Sequence, residues 1–307
     1  EKRGWLQGTS PNSGRSSGGH VSRPLRPGAQ LLSSAPLWAL ILFALSCNGD
    51  AAAPPSVLVP GEDSVVVAPC EGPYCHPSLL GIYAMHGFYR KIIATNQVAI
   101  VGSHEVQDRA LELAVEVAEG MIEDRTLWWA FLVEAKAFIA VMSENEVTTD
   151  IPEHKFLSDD PDIDWDSRAR GRGATLALPL TTVGEENLLC SSGDSYSGES
   201  ILVHEFAHTL HVLVIAMIDP AFDAELDALF WQARDEGLWT DTYSNESRQE
   251  YWAEGVQSWF GANQVEQKGI HNHVNTREEL LEHDPRLHEL IGRWFSESAW
   301  TPSCPSS

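Results

Sequence analysis

The chain has 307 residues, with 44 acidic and 20 basic side chains and a formal net charge of −24. That length can bury a substantial core and can hold one large domain or two small ones. Nucleic acids and anionic membrane surfaces are themselves negative, so the acidic excess argues against both as partners. Composition leaves the fold and the oligomeric state open.

Residues 1–47 differ from the rest of the chain because they are basic and end in a short apolar run, Leu37–Leu45, followed by small residues. This pattern is typical of a secretory signal peptide or N-terminal leader. A membrane-spanning helix needs about 20 apolar residues, so the run is too short to span comfortably. We therefore expect a secreted protein with no membrane span in its mature form.

Residues 48–80 are rich in Pro, Ala and Gly, which indicates an irregular lead-in, so we expect the folded domain to occupy residues 81–307. Four cysteines follow Cys47, which suits an exported protein with disulfides. Four cysteines allow three pairings, and sequence does not choose among them. We expect Cys70 with Cys75 and Cys190 with Cys304.

Periodicity predicts a mixed set of strands and helices in the folded domain. The apolar segments Gln97–Ser103, Ala137–Met142 and Ala174–Leu180 predict strands, and Val106–Ile122 predicts an amphipathic helix. The Asp-rich and Pro-rich segment between Thr148 and Arg172 predicts a long surface loop. Pro179 makes the third strand an edge strand or a strand end, and an exposed edge there would suit a peptide that binds by strand addition.

The second half of the chain predicts helices. Their expected ranges are about Gly198–Ile218, about Ala221–Glu236, a helix from near Ser247, then Arg277–Glu282 and Pro285–Phe295.

The first of these helices carries the motif His204-Glu205-Phe-Ala-His208 in an apolar setting. Positions four apart lie on one helix face, so both imidazoles can bind one metal ion. Glu205 can then act as general base toward a water activated by zinc. The motif therefore predicts one Zn²⁺ per chain.

A catalytic zinc site needs a third protein ligand, and two glutamates of a downstream helix are candidates. Glu250 and Glu254 are four residues apart and share a face. In such a pair one acid binds the metal and the other hydrogen-bonds a ligating imidazole. Ser247 lies three residues before Glu250, so Glu250 could instead complete a capping box at the helix end.

These residues resemble the lethal factor-like zinc metallopeptidases, the family named for the catalytic domain of anthrax toxin lethal factor. The resemblance rests on His-Glu-Phe-Ala-His at 204–208 and on Tyr243 placed seven residues before Glu250, within Glu250-Tyr-Trp-Ala-Glu254. The stretch Val98–Phe295 is also similar to secreted, uncharacterised proteins that carry both motifs. The resemblance implies that Glu250 is the third ligand and that Tyr243 acts at the oxyanion.

We therefore expect an α+β, zincin-like metallopeptidase domain that hydrolyses a peptide or protein substrate. Two alternatives stay open. One is a non-catalytic secreted binding protein that keeps a structural or vestigial zinc, although a structural site has no use for Glu205. The other is a zinc hydrolase that acts on a non-peptide substrate.

Overall fold

A computed structural model describes residues 87–265, 269–298 and 300–303. All of them belong to one unit, while the chain's other unit, Gly8–Ser64, contains no described residue. The predicted leader and lead-in therefore lie outside the described residues. Cys190 is the one cysteine inside these ranges, so both disulfides stay predictions.

A five-stranded mixed sheet lies at the centre of the fold. Its strands run in the order β1, β2, β3, β5, β4, with β2, β3 and β5 parallel and the two edge strands antiparallel to their neighbours. The strands are β1 (Lys91–Thr95), β2 (Val98–Gly102), β3 (Phe138–Met142), β4 (Gly171–Arg172) and β5 (Leu180–Gly184).

A tight hairpin joins β1 to β2. Thr95 pairs with Val98 across the turn, and the two turn residues Asn96 and Gln97 have φ angles of 45° and 72°. A two-residue turn with positive φ at both positions matches the right-handed twist of the strands it joins. The sequence analysis predicted β2 and did not predict β1.

Helices cover the sheet and form the second half of the unit, which gives the mixed α+β architecture. They are α1 (Asp108–Ile122), α2 (Thr126–Glu134), α3 (Trp165–Arg168), α4 (Glu185–Leu188), α5 (Ile201–Leu210), α6 (Ala216–Ile218), α7 (Phe222–Asp235), α8 (Arg248–Trp259), α9 (Arg277–His283) and α10 (Pro285–Gly292). Within the described ranges, each predicted helix has a counterpart whose ends differ by a few residues.

Helix α5 is the core helix, and every one of its residues is buried. The Ser200 side chain caps it by accepting from Val203 N. The Thr209 hydroxyl lies 2.6 Å from that of Thr181 in β5, which ties the helix to the sheet. A π-helical turn, His211–Ile215, carries it into α6.

The same helical run, Ile201–Ile218, is long and apolar enough to span a membrane by composition, but 78% of it is buried inside the protein. That burial is what a core helix shows.

The predicted edge strand at Ala174–Leu180 is wrong. Thr175 N donates to Leu178 O, so this segment turns, and the strand starts only at Leu180, after Pro179. The edge strand is instead the two-residue β4, Gly171–Arg172, inside the segment predicted to be a loop. Two 3₁₀ helices, Thr148–Asp150 and Pro152–Asp159, also fall in that segment.

Candidate metal centre

Three side chains from two helices converge at one buried point. On α5, Nε2 of His204 lies 3.1 Å from Nε2 of His208. Glu250 of α8 places Oε2 3.0 Å from the first of these atoms and 3.3 Å from the second. Two ligand atoms that share a tetrahedral zinc at its usual bond lengths lie about 3.3–3.6 Å apart. The cluster is therefore close to the size of a zinc site, and it could hold a metal ion.

The charges of this cluster also favour a cation. Burial disfavours the charged form of His204, yet the hydrogen bond to Glu250 and the nearby carboxylates raise its pKa to about 10. Burial disfavours the Glu250 carboxylate too, but the two imidazoles lower its pKa to about 2. Burial lowers the pKa of His208. The cluster thus holds one extra proton, on His204 beside the Glu250 carboxylate, and a metal ion would replace that proton.

The hydrogen bonds at the start of α8 decide between the two roles expected of Glu250, metal ligand and partner in a capping box. The Ser247 side chain accepts a hydrogen bond from Glu250 N at 3.2 Å, so serine does cap the helix. In a full capping box the Glu250 carboxylate would return to the backbone of Ser247. It instead contacts the two histidines, which leaves it available as a ligand.

One hydrogen-bond partner of His204 is a residue that sequence analysis missed. Gln257 places Oε1 2.8 Å from His204 Nδ1, whereas Glu254 Oε1 lies 3.5 Å away. The other Glu254 oxygen lies 3.1 Å from both Asn263 and His271. Gln257 follows Glu250 by seven positions and therefore lies on the same helix face, which is the signal that could have found it.

Glu205 of the metal helix faces the segment Gly171–Gly173, where two glycines allow close contact. A Cβ on Gly171 would overlap Ile201 and the Glu205 side chain, and one on Gly173 would lie 2.5 Å from the Cβ of His208. Burial, together with the Glu250 charge, raises the pKa of Glu205 to about 7. The hydrogen bond from the Gly173 N–H acts in the opposite direction and lowers this pKa. Glu205 can therefore both take and release a proton near neutral pH.

Tyr243 lies in a short 3₁₀ turn before α8, and its N–H donates to Ile270 O. Its ring centroid is 6.1 Å from that of His204. Its hydroxyl is buried and has no hydrogen-bond partner among the described residues. Burial and the surrounding carboxylates raise its pKa well above the usual value, so the hydroxyl keeps its proton as a donor.

His211 lies one turn beyond His208 and takes no part in the three-residue cluster. Its Nε2 lies 2.7 Å from Asp223 Oδ1 at the start of α7. Nδ1 of His211 and Nδ1 of His208 are both buried without a hydrogen-bond partner among the described residues. Three residues apart on one helical run, they lie on the same face.

No family model and no curated protein matches the chain. Among solved structures, the chain is similar to the Pro-Pro endopeptidase PPEP-2 from Paenibacillus alvei, with 15% identity and a TM-score of 0.39 over 64% of this chain and 97% of that one. A likeness at this level carries no argument about function. The resemblance to the lethal factor-like family stays a prediction.

Proposed function

We propose that the protein is a zinc metalloendopeptidase with a zincin-like fold, in which His204, His208 and Glu250 hold one Zn²⁺. The observation that carries the proposal is the convergence of these three side chains within about 3 Å of one another. Glu205 and Tyr243 interact with the same cluster. Bound zinc supplies a Lewis acid for the peptide carbonyl and lowers the pKa of water.

The chain's own residues would then divide the remaining chemistry. Glu205 takes a proton from the attacking water and delivers it to the leaving amine, for which a pKa of about 7 is suited. Tyr243 has a buried hydroxyl without a hydrogen-bond partner among the described residues, and it would donate a hydrogen bond from this hydroxyl to the developing oxyanion. Gln257 holds the imidazole of His204 in the tautomer that leaves Nε2 free for the metal.

The β4 edge provides a place for a peptide strand. Gly184 of β5 donates its N–H to Arg170 O, just before β4. Arg170 and Gly184 therefore form a hydrogen-bonded pair between the two strands. Pairs alternate along an antiparallel ladder, which turns the main-chain N–H and C=O of Gly171 toward the outer edge, whereas the N–H of Gly173 bonds to Glu205. We propose that the substrate pairs antiparallel with this edge, beside Glu205.

The proposal is tested with an internally quenched peptide library and purified protein. We expect cleavage by the unmutated chain, loss of cleavage with a chelator, and recovery when zinc is restored. Glu205→Gln should keep the fold and the metal and lose turnover, because an amide does not accept the proton of water. A zinc-loaded protein that cleaves no peptide would contradict the proposal and favour the binding-protein or non-peptide hydrolase alternative. Full activity of Glu205→Gln would remove the base role.

We also propose that the protein is exported and oxidised, on the strength of the basic lead and the apolar run Leu37–Leu45. The sequence analysis pairs Cys190 with Cys304 in a disulfide. Protein from a secreting host should begin after Ser46, and non-reducing mass mapping should find this pair. An intact N-terminus with free thiols would contradict export.

A further inference from the structure

Arg172 is a partly buried cation of the edge strand β4 that lies over an aromatic ring. Within the described residues its guanidinium makes no hydrogen bond and has no carboxylate within 4.0 Å. By contrast, the neighbouring Arg170 pairs with Glu186 at 2.6 Å. Arg172 instead lies over the ring of Trp165, with Cζ 4.3 Å from the centroid. Stacking holds the planar guanidinium in place while leaving its N–H groups free to donate.

The position of Arg172 is set by β4. It is the middle residue of Gly171-Arg172-Gly173, and it pairs with Thr182 of β5. Side chains alternate along a strand, and the Cβ positions of both glycines face α5. Arg172 therefore projects from the other face of the strand, toward Trp165. His154, which interacts with Arg172, adds no charge there at neutral pH, because burial and that arginine lower its pKa to about 3.

A peptide added to the outer edge would place one of its residues directly opposite Arg172. The hydrogen-bonded pair on that edge involves Gly171, and the two kinds of pair alternate along a ladder. The next pair, at Arg172, is therefore of the non-hydrogen-bonded kind, in which side chains come closest. Opposite residues also share a face of the sheet, and opposite charges stabilise such a pair. The two glycines, in contrast, offer no side chain to the neighbouring substrate positions.

We propose that Arg172 is a specificity-determining residue that selects a substrate with an acidic side chain at the one position paired with it across the β4 edge. This inference rests on the proposed peptidase function and on antiparallel strand addition. The carboxylate would become the ion-pair partner that Arg172 lacks within the described chain. The preference belongs to one position, because the flanking strand positions are glycines.

The test uses peptides amidated at the C-terminus, with a single Asp or Glu moved along a neutral sequence, and measures kcat/KM. We expect the acid to raise kcat/KM by about 10-fold at one position, the size of one charge-assisted hydrogen bond. Arg172→Gln should lose this gain, and Arg172→Glu should prefer Lys at the same position. Arg234→Glu makes the same charge change on α7, at an arginine that lies 5.2 Å from the Trp231 centroid, and should keep the acidic preference.

Several outcomes would overturn the proposal. Cleavage without an acidic preference, or an equal fall of kcat/KM for all peptides in Arg172→Gln, would contradict it while leaving the peptidase function in place. A preference present only with a free C-terminus would assign Arg172 to a terminal carboxylate instead. No cleavage of any peptide would contradict both the proposed function and this inference. Melting temperatures of the two Arg172 variants, compared with the unmutated chain, show that each is folded.

Discussion

Nδ1 of His204 lies 2.8 Å from the side-chain oxygen of Gln257, a residue with no exposed surface. The amide nitrogen of the same glutamine donates to Ser200 O at 3.2 Å, at the N-cap of the metal helix. Gln257 therefore holds the imidazole and the start of its helix together. Groups that fix the orientation of a metal ligand are typically worth 10–100-fold in metal affinity.

Gln257→Leu should weaken zinc binding by about 10–100-fold, because His204 loses the acceptor that fixes its tautomer. Zinc affinity is measured by competition with a chromophoric chelator. Glu254→Gln is the comparison variant, and it should weaken binding less because Glu254 is farther from His204. Unchanged affinity in Gln257→Leu would contradict the orienting role.

A second prediction concerns the unpaired nitrogens of His208 and His211. If Nε2 of His208 binds metal, its Nδ1 carries a proton, while the bond of His211 Nε2–H to Asp223 leaves His211 Nδ1 as an acceptor. A buried water bridging a donor and an acceptor would satisfy both nitrogens.

His211→Phe should preserve ring packing against Phe222, whose centroid lies 5.0 Å away, and remove the acceptor. We expect zinc affinity to fall by about 10-fold. Asp223→Asn is the milder control, since an amide can still hydrogen-bond the imidazole. A His211→Phe variant with unchanged affinity would exclude the bridge.

Tyr243→Phe should lower kcat by about 100- to 1,000-fold and leave zinc affinity unchanged, because the hydroxyl serves the oxyanion and not the metal. Zinc titration and steady-state kinetics on the same preparation separate the two effects. Loss of zinc in this variant would place Tyr243 among the groups that hold the metal.

Acid stability should depend on His154, whose pKa is lowered to about 3 by burial and by Arg172. Between that value and the ordinary pKa of about 6.5, the unfolded chain binds a proton that the folded chain does not. The stability that His154 contributes is therefore fully present above about pH 6.5, and it is lost as the pH falls from there toward about 3.

The loss from His154 amounts to at most about 1.4 kcal/mol per pH unit. Urea unfolding of the metal-free protein at pH 7 and pH 5 should show a smaller drop for His154→Gln than for the unmutated chain. Equal drops in the two proteins would mean that His154 is protonated in the folded state.

Sequence analysis predicted those parts of the fold in which the hydrophobic periodicity extends over many residues. Helix α1 and the motif helix α5 follow from the spacing of their apolar residues. The edge strand could not be found, because Gly171–Arg172 is too short for alternation and glycine is a poor strand former. The apolar run after it, Ala174–Leu180, has the composition of a strand, but the hydrogen bond from Thr175 N to Leu178 O turns it.

The candidate site also has a local part that the sequence predicts and a long-range part that it does not. The pair His204 and His208 is local, since four residues on a helix share a face. The contact between Gln257 and His204 joins positions 53 residues apart, and it depends on how α8 packs on α5. The Trp252 ring N–H, which donates to Ala207 O, is part of that packing, and sequence spacing gives no measure of it.

The most direct test of the account is the zinc content of the folded protein after gel filtration. We expect one zinc per chain in the unmutated protein and its loss in His204→Ala, His208→Ala and Glu250→Ala. Ser247→Ala should keep the zinc and lose about 1 kcal/mol of stability, because Ser247 only caps α8. A folded, unmutated chain without zinc would contradict the central claim. A Glu250→Ala variant that holds zinc, with loss in Glu254→Ala, would contradict the ligand assignment.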